Sequence, residues 1–379
     1  MRMRRFWIAL YAVTALTHVP FAIGVAWALG RAGVPRAPLL AAALAIALVA
    51  LLRGRVRRAR ADRPVPAWRL ALVEEPYYAH WGACIGALFA FVPALLVTGA
   101  LALVGAAPPV GAVALFAYGL GLALALWGVF VRRHIVQVRT IDVPIAGLGE
   151  GLDGYRIAQL SDLHIGSLWP GRRAARWIEH VDRLAPDLVA LTGDYVTSGT
   201  AFHGEIADTL GALRAKDGAI AVMGNHDYFG DGEPLVTLLR ERGVRVLRNE
   251  HTVLEKDGAR LVVAGVDDTW TRRADVDRAV SGRDEGLPLL ALAHDPQLFP
   301  FLAERGAQLV LSGHTHWGQV AVPFASARFN LSRLSYRYHA GVYREGDATL
   351  YVHPGLGTTG PPIRLGAAPE ITVFVLRRA

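Results

Sequence analysis

The sequence predicts two parts of different class: an all-α transmembrane region of about four helices over residues 1–135, then a sheet-centred α/β domain over residues 136–379. Three observations carry this. Hydrophobic residues make up 53% of the chain and charged residues only 19%, which excludes disorder and is too apolar for an average soluble enzyme. Uncharged apolar stretches crowd into the segment before residue 135. From about residue 136 the apolar runs shorten to strand length and alternate with amphipathic stretches.

The charge is divided in the same way. Residues 1–140 hold 15 Arg against 3 acidic residues, a balance of +12, and residues 141–379 hold 25 basic against 29 acidic, a balance of −4. The basic excess therefore belongs to the apolar part, where it faces a membrane surface rather than nucleic acid. One cysteine excludes a disulfide framework and a Cys-rich zinc module.

Four stretches are candidate spans: residues 6–30, 37–52, 82–105 and 110–131. A bilayer core needs about 20 apolar residues in a helix. The second stretch falls short unless the turn before it at Pro35 extends it. Met1-Arg2-Met3-Arg4-Arg5 has the look of a signal-peptide n-region, but the apolar run after it is too long and no small-residue cleavage site follows. Arg2, Arg4 and Arg5, the Arg-rich loop from Arg53 to Arg69, and Arg132 with Arg133 fall on one side. The positive-inside bias makes that side the cytoplasm, with both termini there. Glu74, Glu75, Tyr77 and Tyr78 before the third span read as an interfacial aromatic belt. His18, inside the first span, is either a functional polar group or a helix–helix hydrogen bond.

In the second part, Arg156–Ser161 reads as a buried strand and Arg172–Leu184 as a helix. Strand Asp187–Leu191 and helix Gly204–Arg214 come next, then strand Ala219–Met223 and helix Pro234–Arg242. Val244–Leu247, Thr252–Glu255 and Leu261–Ala264 are strands, with a turn at Lys256-Asp257-Gly258. Leu287–Ala291 and Gln308–Ser312 flank a helix that starts near Pro296. The last sixty residues are β-rich and end in a strand at Ile371–Leu376.

Successive strands end in similar polar clusters: Ser161-Asp162-Leu163-His164, Thr192-Gly193-Asp194, Gly224-Asn225-His226-Asp227, Ala293-His294-Asp295 and Ser312-Gly313-His314-Thr315-His316. Ligands of an open sheet bind at the carboxyl ends of its strands, so these loops can converge. Asp-x-His and His-x-His put both side chains on one face of an extended segment. Imidazole suits Zn, Fe and Ni; carboxylate and amide oxygen suit Mn and Mg. Seven ligating residues exceed one coordination shell, which points to two ions. Two ions about 3.5–4 Å apart clamp both oxygens of an in-line displacement at phosphorus. A lone His or Gly-Asp at a strand end is only a polar turn; five such clusters in order make the metal reading.

These motifs resemble the signature of calcineurin-like metallophosphoesterases, over about residues 150–379. The tail Gly355-Leu356-Gly357-Thr358, Ile363-Arg364 and Pro369-Glu370-Ile371 is similar to that of a bacterial membrane-associated branch which includes UDP-diacylglucosamine pyrophosphatase-like enzymes. The resemblance implies a four-layer αββα sandwich with two divalent ions, Mn, Fe or Zn, between the sheet edges. It implies one ion on Asp162, His164 and His316, a second on Asn225, His294 and His314, and Asp194 bridging them. A hydroxide held between the ions would attack phosphorus, and the catalytic His226 would help protonate the leaving group. Asp227 would support the ligands from behind.

Many family members carry a second Asp three residues after the Gly-Asp motif, which orients the catalytic His. Here that place is Thr197. Trp317 narrows the pocket, stacks on a substrate or packs; His339 and His353 line the site or lie on the surface; Arg364 contacts phosphate or makes a structural ion pair. The expected function is a multi-pass enzyme of the cell membrane whose cytoplasmic domain hydrolyses phosphate mono- or diesters. Its substrate would be lipid-linked, unless the anchor serves location alone. A nucleotide or cyclic-nucleotide phosphodiesterase or nuclease is the alternative, weakened by the lack of a basic stripe. A non-catalytic metal-binding scaffold is the third reading. No nucleic-acid partner is expected.

Overall fold

The computed structural model describes residues 2–169, 171–322 and 325–379, with backbone alone for Arg2, Met3, Arg4 and Arg172. Met1 and the side chains of Arg2 and Arg4, part of the basic N-terminal cluster, thus lie outside the described residues. The chain packs as two units: residues 1–59, 66–132 and 361–363 form one, and residues 60–65, 133–360 and 364–379 the other.

The first unit contains four helices long and apolar enough to cross a membrane among the described residues. They are α1 (Arg2–Arg31), α2 (Ala37–Ala59), α3 (Ala67–Ala102) and α4 (Val110–His134). α2 begins after the Pro35 turn and reaches 23 residues by continuing through the Arg-rich stretch, so it is longer than its uncharged run. α3 starts fifteen residues before the expected third span, because Glu74 does not break it. That carboxylate is fully buried and takes Arg55, Arg58 and Arg69 at 2.9, 2.8 and 3.2 Å. Wide turns closed by Glu75 N–H to Leu70 O and Arg132 N–H to Trp127 O interrupt α3 and α4. Tyr77 and Tyr78 correct the expectation of an interfacial belt. Both are buried, and Tyr77 Oη donates to Leu48 O at 3.2 Å.

A stripe of small residues lets the helices approach. Gly111, Ala114, Ala117, Gly121 and Ala125 are the buried positions of α4 as far as Leu126. A Cβ on Gly121 would come within 2.4 Å of Ala83 O, so only glycine allows this crossing. Large apolar side chains point outward instead: Ile46, Leu72, Phe89, Leu96 and Phe116 are all exposed. That inverted pattern suits a hydrocarbon solvent and not water.

The second unit is built on two mixed sheets. The first has strand order β1 (Gln137–Ile145), β12 (Glu370–Arg378), β2 (Arg156–Leu160), β3 (Leu188–Leu191), β4 (Ala219–Ala221), β5 (Val244–Val246). The second runs β10 (Gly341–Glu345), β11 (Ala348–Val352), β9 (Ala307–Ser312), β8 (Leu289–Ala293), β7 (Ala259–Val266), β6 (Glu250–Lys256). Strand periodicity of two sorts the core into layers. Ile157, Leu188, Ala190 and Ile220 face Leu261, Val263, Leu290, Leu292, Leu309 and Leu311 across the gap between the sheets. Their neighbours Ala158, Leu160, Val189 and Leu191 face α5 (Arg172–Leu184), α6 (His203–Gly211) and α7 (Glu233–Glu241). Val262, Ala264, Ala291, Ala293 and Val310 do the same for α8 (Val276–Val280) and α9 (Phe299–Glu304). The result is the expected αββα order. The β6–β7 hairpin closes on Asp257 and Gly258 at φ 50° and 76°, as its sequence predicts.

Candidate metal centre

Every expected ligand follows the last residue of a strand. β2, β3 and β4 run parallel in one sheet, and β8 and β9 run parallel in the other. Their carboxyl-end loops therefore open on the same side of each sheet. The backbone is forced there. Asp162, His164, Asp194, His314 and His316 sit at φ 53°, 49°, 57°, 71° and 51°. Positive φ costs a non-glycine residue about 1–3 kcal/mol, so five such residues in one place mark a functional constraint.

The side chains meet in two groups that share one carboxylate. Asp162, His164 and His316 form one, with His164 Nε2 at 2.9 Å from His316 Nε2 and His316 Nε2 at 3.3 Å from Asp162 Oδ1. His294 and His314 form the other, with His294 Nε2 at 3.2 Å from His314 Nδ1. Asp194 Oδ2 lies 3.5 Å from His164 Nε2 and 3.2 Å from His294 Nε2. Asn225 follows β4, beside the Asp194 carboxylate that accepts from the His226 amide at 2.8 Å. The Asn225 Oδ1 atom is buried with no hydrogen-bond partner.

Neighbouring groups fix the orientation of these donors. His294 Nδ1–H donates to Thr192 O at 2.7 Å, which turns Nε2 toward Asp194. Asp162 accepts from Ser161 Oγ at 2.6 Å and from the His314 amide at 3.0 Å. The Asp227 carboxylate accepts from the amides of Asp194, Tyr195, Val196 and Gly224 at 2.9, 2.7, 3.2 and 2.9 Å. It thereby holds the two loops that carry Asp194 and Asn225.

The electrostatics describe a site made for cations. Burial pushes the Asp162 carboxyl up to about 7, with His294 opposing the rise and Asp194 adding to it. Burial opposes a charged His294, but the Asp194 carboxylate prevails and lifts that imidazole to about 10. The same attraction holds Asp194 well below the ordinary range, against its burial. Burial and the nearby positive groups push His164 and His316 well below the usual imidazole range, and His314 to about 4. Ring nitrogens 2.9 Å apart and an orphaned amide oxygen form a donor set of mixed imidazole, carboxylate and amide. That set fits borderline divalent ions.

His226 stands beside the first group, its ring centroid 4.7 Å from that of His164. Its Nδ1–H donates to the main-chain carbonyl of Thr197 at 2.7 Å. The Thr197 hydroxyl donates elsewhere, to His164 O at 2.9 Å. Trp317 packs in the inter-sheet core and donates to Val352 O at 2.7 Å, so stacking on a ligand is not its part. Arg364 is fully buried and donates to Gly357 O and Pro354 O at 2.8 and 2.9 Å. It secures the tail, whose Leu356 and Gly357 amides in turn donate to the carbonyls of Ser161 and Asp162. A Cβ on Gly357 would meet Leu163 O at 1.9 Å, which explains that glycine. His353 is fully buried behind the site, and His339 Nδ1 lies 3.0 Å from Asn330 Nδ2. Sequence reasoning missed Tyr336, whose hydroxyl lies 3.0 Å from His314 Nε2. It lies in an irregular segment with no motif to announce it.

Residues 155–318 match the model of the calcineurin-like phosphoesterases. A Danio rerio transmembrane protein with a metallophosphoesterase domain is 32% identical over 270 residues, covering 68% of this chain and 61% of its own length. The chain thus spans about three-fifths of that relative. The Bacillus subtilis metallophosphoesterase YkuE is 30% identical over 252 residues, covering 65% of this chain and 88% of its own. A Helicobacter pylori metallophosphoesterase is 32% identical over 267 residues, with 68% and 70% covered. Matched across most of the Bacillus and Helicobacter proteins, with its donor loops at the strand ends, this chain belongs to the calcineurin-like phosphoesterase family.

Proposed function

We propose that this chain hydrolyses a phosphate ester at the cytoplasmic face of the cell membrane, with Asp162, His164 and His316 holding one divalent ion and Asn225, His294 and His314 a second. The observation that carries this is the Asp194 carboxylate, within 3.5 Å of a donor nitrogen from each group. Two divalent ions in such a site supply a water nucleophile active at neutral pH and neutralise charge building on the phosphoryl oxygens. Mn, Fe and Zn all suit the donors.

The chain's own residues do the rest. Asp194 keeps the two donor groups in register. With Nδ1–H tied to the Thr197 carbonyl, His226 keeps its Nε2 to hold a proton for the leaving oxygen. Asp227 keeps the loop amides fixed so that neither group drifts apart from the other. A substrate delivered by the membrane, lipid-linked and of the pyrophosphate-lipid class suggested by the tail, fits an enzyme with four apolar helices.

A turnover screen of the purified full chain tests this, comparing lipid phosphates and lipid pyrophosphates with nucleotides, before and after metal removal. Metal-dependent hydrolysis favouring the lipid substrates supports the reading. Preference for nucleotides would overturn the substrate class, and chelator-resistant turnover would overturn the two-ion assignment.

A further inference from the structure

Inside the four-helix unit lies a second convergence of metal-binding side chains. The donor atoms of His18 on α1 and of His80 and Cys84 on α3 all lie within 4.8 Å of one another. His80 and Cys84 are four residues apart, so one helical turn brings them to the same face. His18 and Cys84 are almost completely buried, at 2% and 0% exposure.

The contacts around the cluster engage its outer nitrogens, pair the inner nitrogen of His80 with the Cys84 thiol and leave that of His18 without a partner. His18 Nδ1–H donates to Thr14 O at 2.7 Å, so its Nε2 carries a lone pair. That Nε2 is buried without a hydrogen-bond partner. His80 Nδ1 lies 2.9 Å from Tyr118 Oη, and its Nε2 faces Cys84 Sγ at 3.6 Å. In both imidazoles Nδ1 is engaged by a neighbouring oxygen and Nε2 is left within the cluster, that of His80 beside the sulfur. A metal-ligating histidine is arranged in this way, its other nitrogen donating to a carbonyl or hydroxyl. Donors on one ion at bonds of ~2.0–2.3 Å stand about 3.5–4 Å apart, so small side-chain rotations close the triangle. An orphaned buried nitrogen is costly in any other role.

We propose that His18, His80 and Cys84 form a separate site for one soft closed-shell ion, Cu(I). Thiolate with imidazole selects Cu(I) or Zn(II). Charge decides between them, because residues 6–30 and 82–105 carry no charged residue. When Cu(I) binds, the Cys84 S–H bond breaks, the proton leaves to water, and a Cu–S bond forms. Thiolate and cuprous charges cancel. Zn(II) would leave a net positive charge in a low-dielectric interior, which is expensive. No electron is transferred in the step.

The test is anaerobic titration of the full chain in detergent with Cu(I) against a chromophoric Cu(I) chelator, followed by X-ray absorption at the copper edge. Wild type should take up one more Cu(I) than Cys84→Ala and show a copper with one sulfur and two nitrogen neighbours. Cys84 is the one cysteine of the chain, so the lost thiolate is unambiguous. His18→Leu should weaken that uptake by about 10–100-fold, while phosphoesterase turnover of both variants stays at the wild-type level. Equal Cu(I) uptake by wild type and Cys84→Ala would overturn the site, as would a wild-type copper spectrum without sulfur. If the variants do not fold, the wild-type spectrum alone decides. Sulfur-ligated Zn(II) with no Cu(I) uptake would overturn the choice of ion.

Discussion

The Nδ1 of His226 lies 2.7 Å from the main-chain carbonyl oxygen of Thr197, the residue that stands where many family members carry an orienting Asp. The fold therefore supplies with backbone what the sequence at position 197 withholds. A carbonyl fixes the tautomer and ring direction as a carboxylate does, though without its charge.

Thr197 substitutions should separate those two contributions. Thr197→Ala keeps the carbonyl and should leave turnover close to wild type. Losing the hydroxyl bond to His164 O should cost about 1 kcal/mol of stability. Thr197→Asp should not raise activity, because Nδ1–H is already engaged. A marked gain in turnover or a shifted pH optimum in Thr197→Asp would show that the carbonyl is a poor substitute.

His226→Ala should keep both ions and lower turnover by roughly 10²–10⁴-fold, the scale of a positioned acid–base group. The deficit should shrink on nitrophenyl esters, whose leaving groups need little protonation. Metal loss on elemental analysis would make His226 a ligand instead.

Asp227→Asn removes an acceptor of four backbone amides, and the amide side chain cannot replace all of them. Metal affinity should fall about 10–100-fold, as for other groups that orient ligands, with a lower melting temperature. Unchanged affinity in a chelator competition would contradict this.

The pH dependence of stability should reverse on metal loading. Without metal, folded Asp162 and Asp227 titrate near 7 instead of 3.8, and His294 near 10 instead of 6.5. Each pKa is raised in the folded state, so each contribution is full below the unfolded pKa and is lost as pH rises through the folded one. Asp194, shifted down, contributes steadily above its ordinary range. His164, His314 and His316, pushed down, work the other way below the ordinary imidazole value, so metal-free protein should lose stability from about pH 7 to about 10. Loaded protein should gain over the same range, since ligands bind metal deprotonated. Melting curves with and without chelator at pH 7 and 9 check the sign. A metal-induced shift that shrinks with rising pH would contradict it.

Topology follows from the Arg-rich segments. Fusing alkaline phosphatase after residue 379 should give no activity in cells, and fusing it near residue 107 should give activity. The reverse pattern would place the catalytic unit on the opposite face.

The sequence made legible whatever rests on short-range pattern. Ile157 packs in one core and Ala158 and Leu160 in the other, so period two marks their strand and the need for layers on both faces. Asp-x-His and His-x-His show their convergence by spacing alone. β1 was not legible: its first half is exposed and it carries Arg139 and Asp142, and only pairing from Gln137↔Glu370 to Ile145↔Arg378 makes it a strand. The start of α3 was hidden by Glu74, whose charge is offset by arginines 5 to 19 positions away in the chain. The Thr197 carbonyl and Tyr336 were invisible for a related reason, since main-chain acceptors and irregular loops carry no motif.

The bridging role of Asp194 is tested most directly by electron paramagnetic resonance of the Mn(II)-loaded chain, because a hard ion avoids the thiolate site in the helices. Wild type should bind two Mn(II) and give the spectrum of an exchange-coupled pair, and Asp194→Asn should lose both the coupling and most of the metal. A single uncoupled Mn(II) in wild type, or an intact coupled pair in Asp194→Asn, would contradict the two-ion centre.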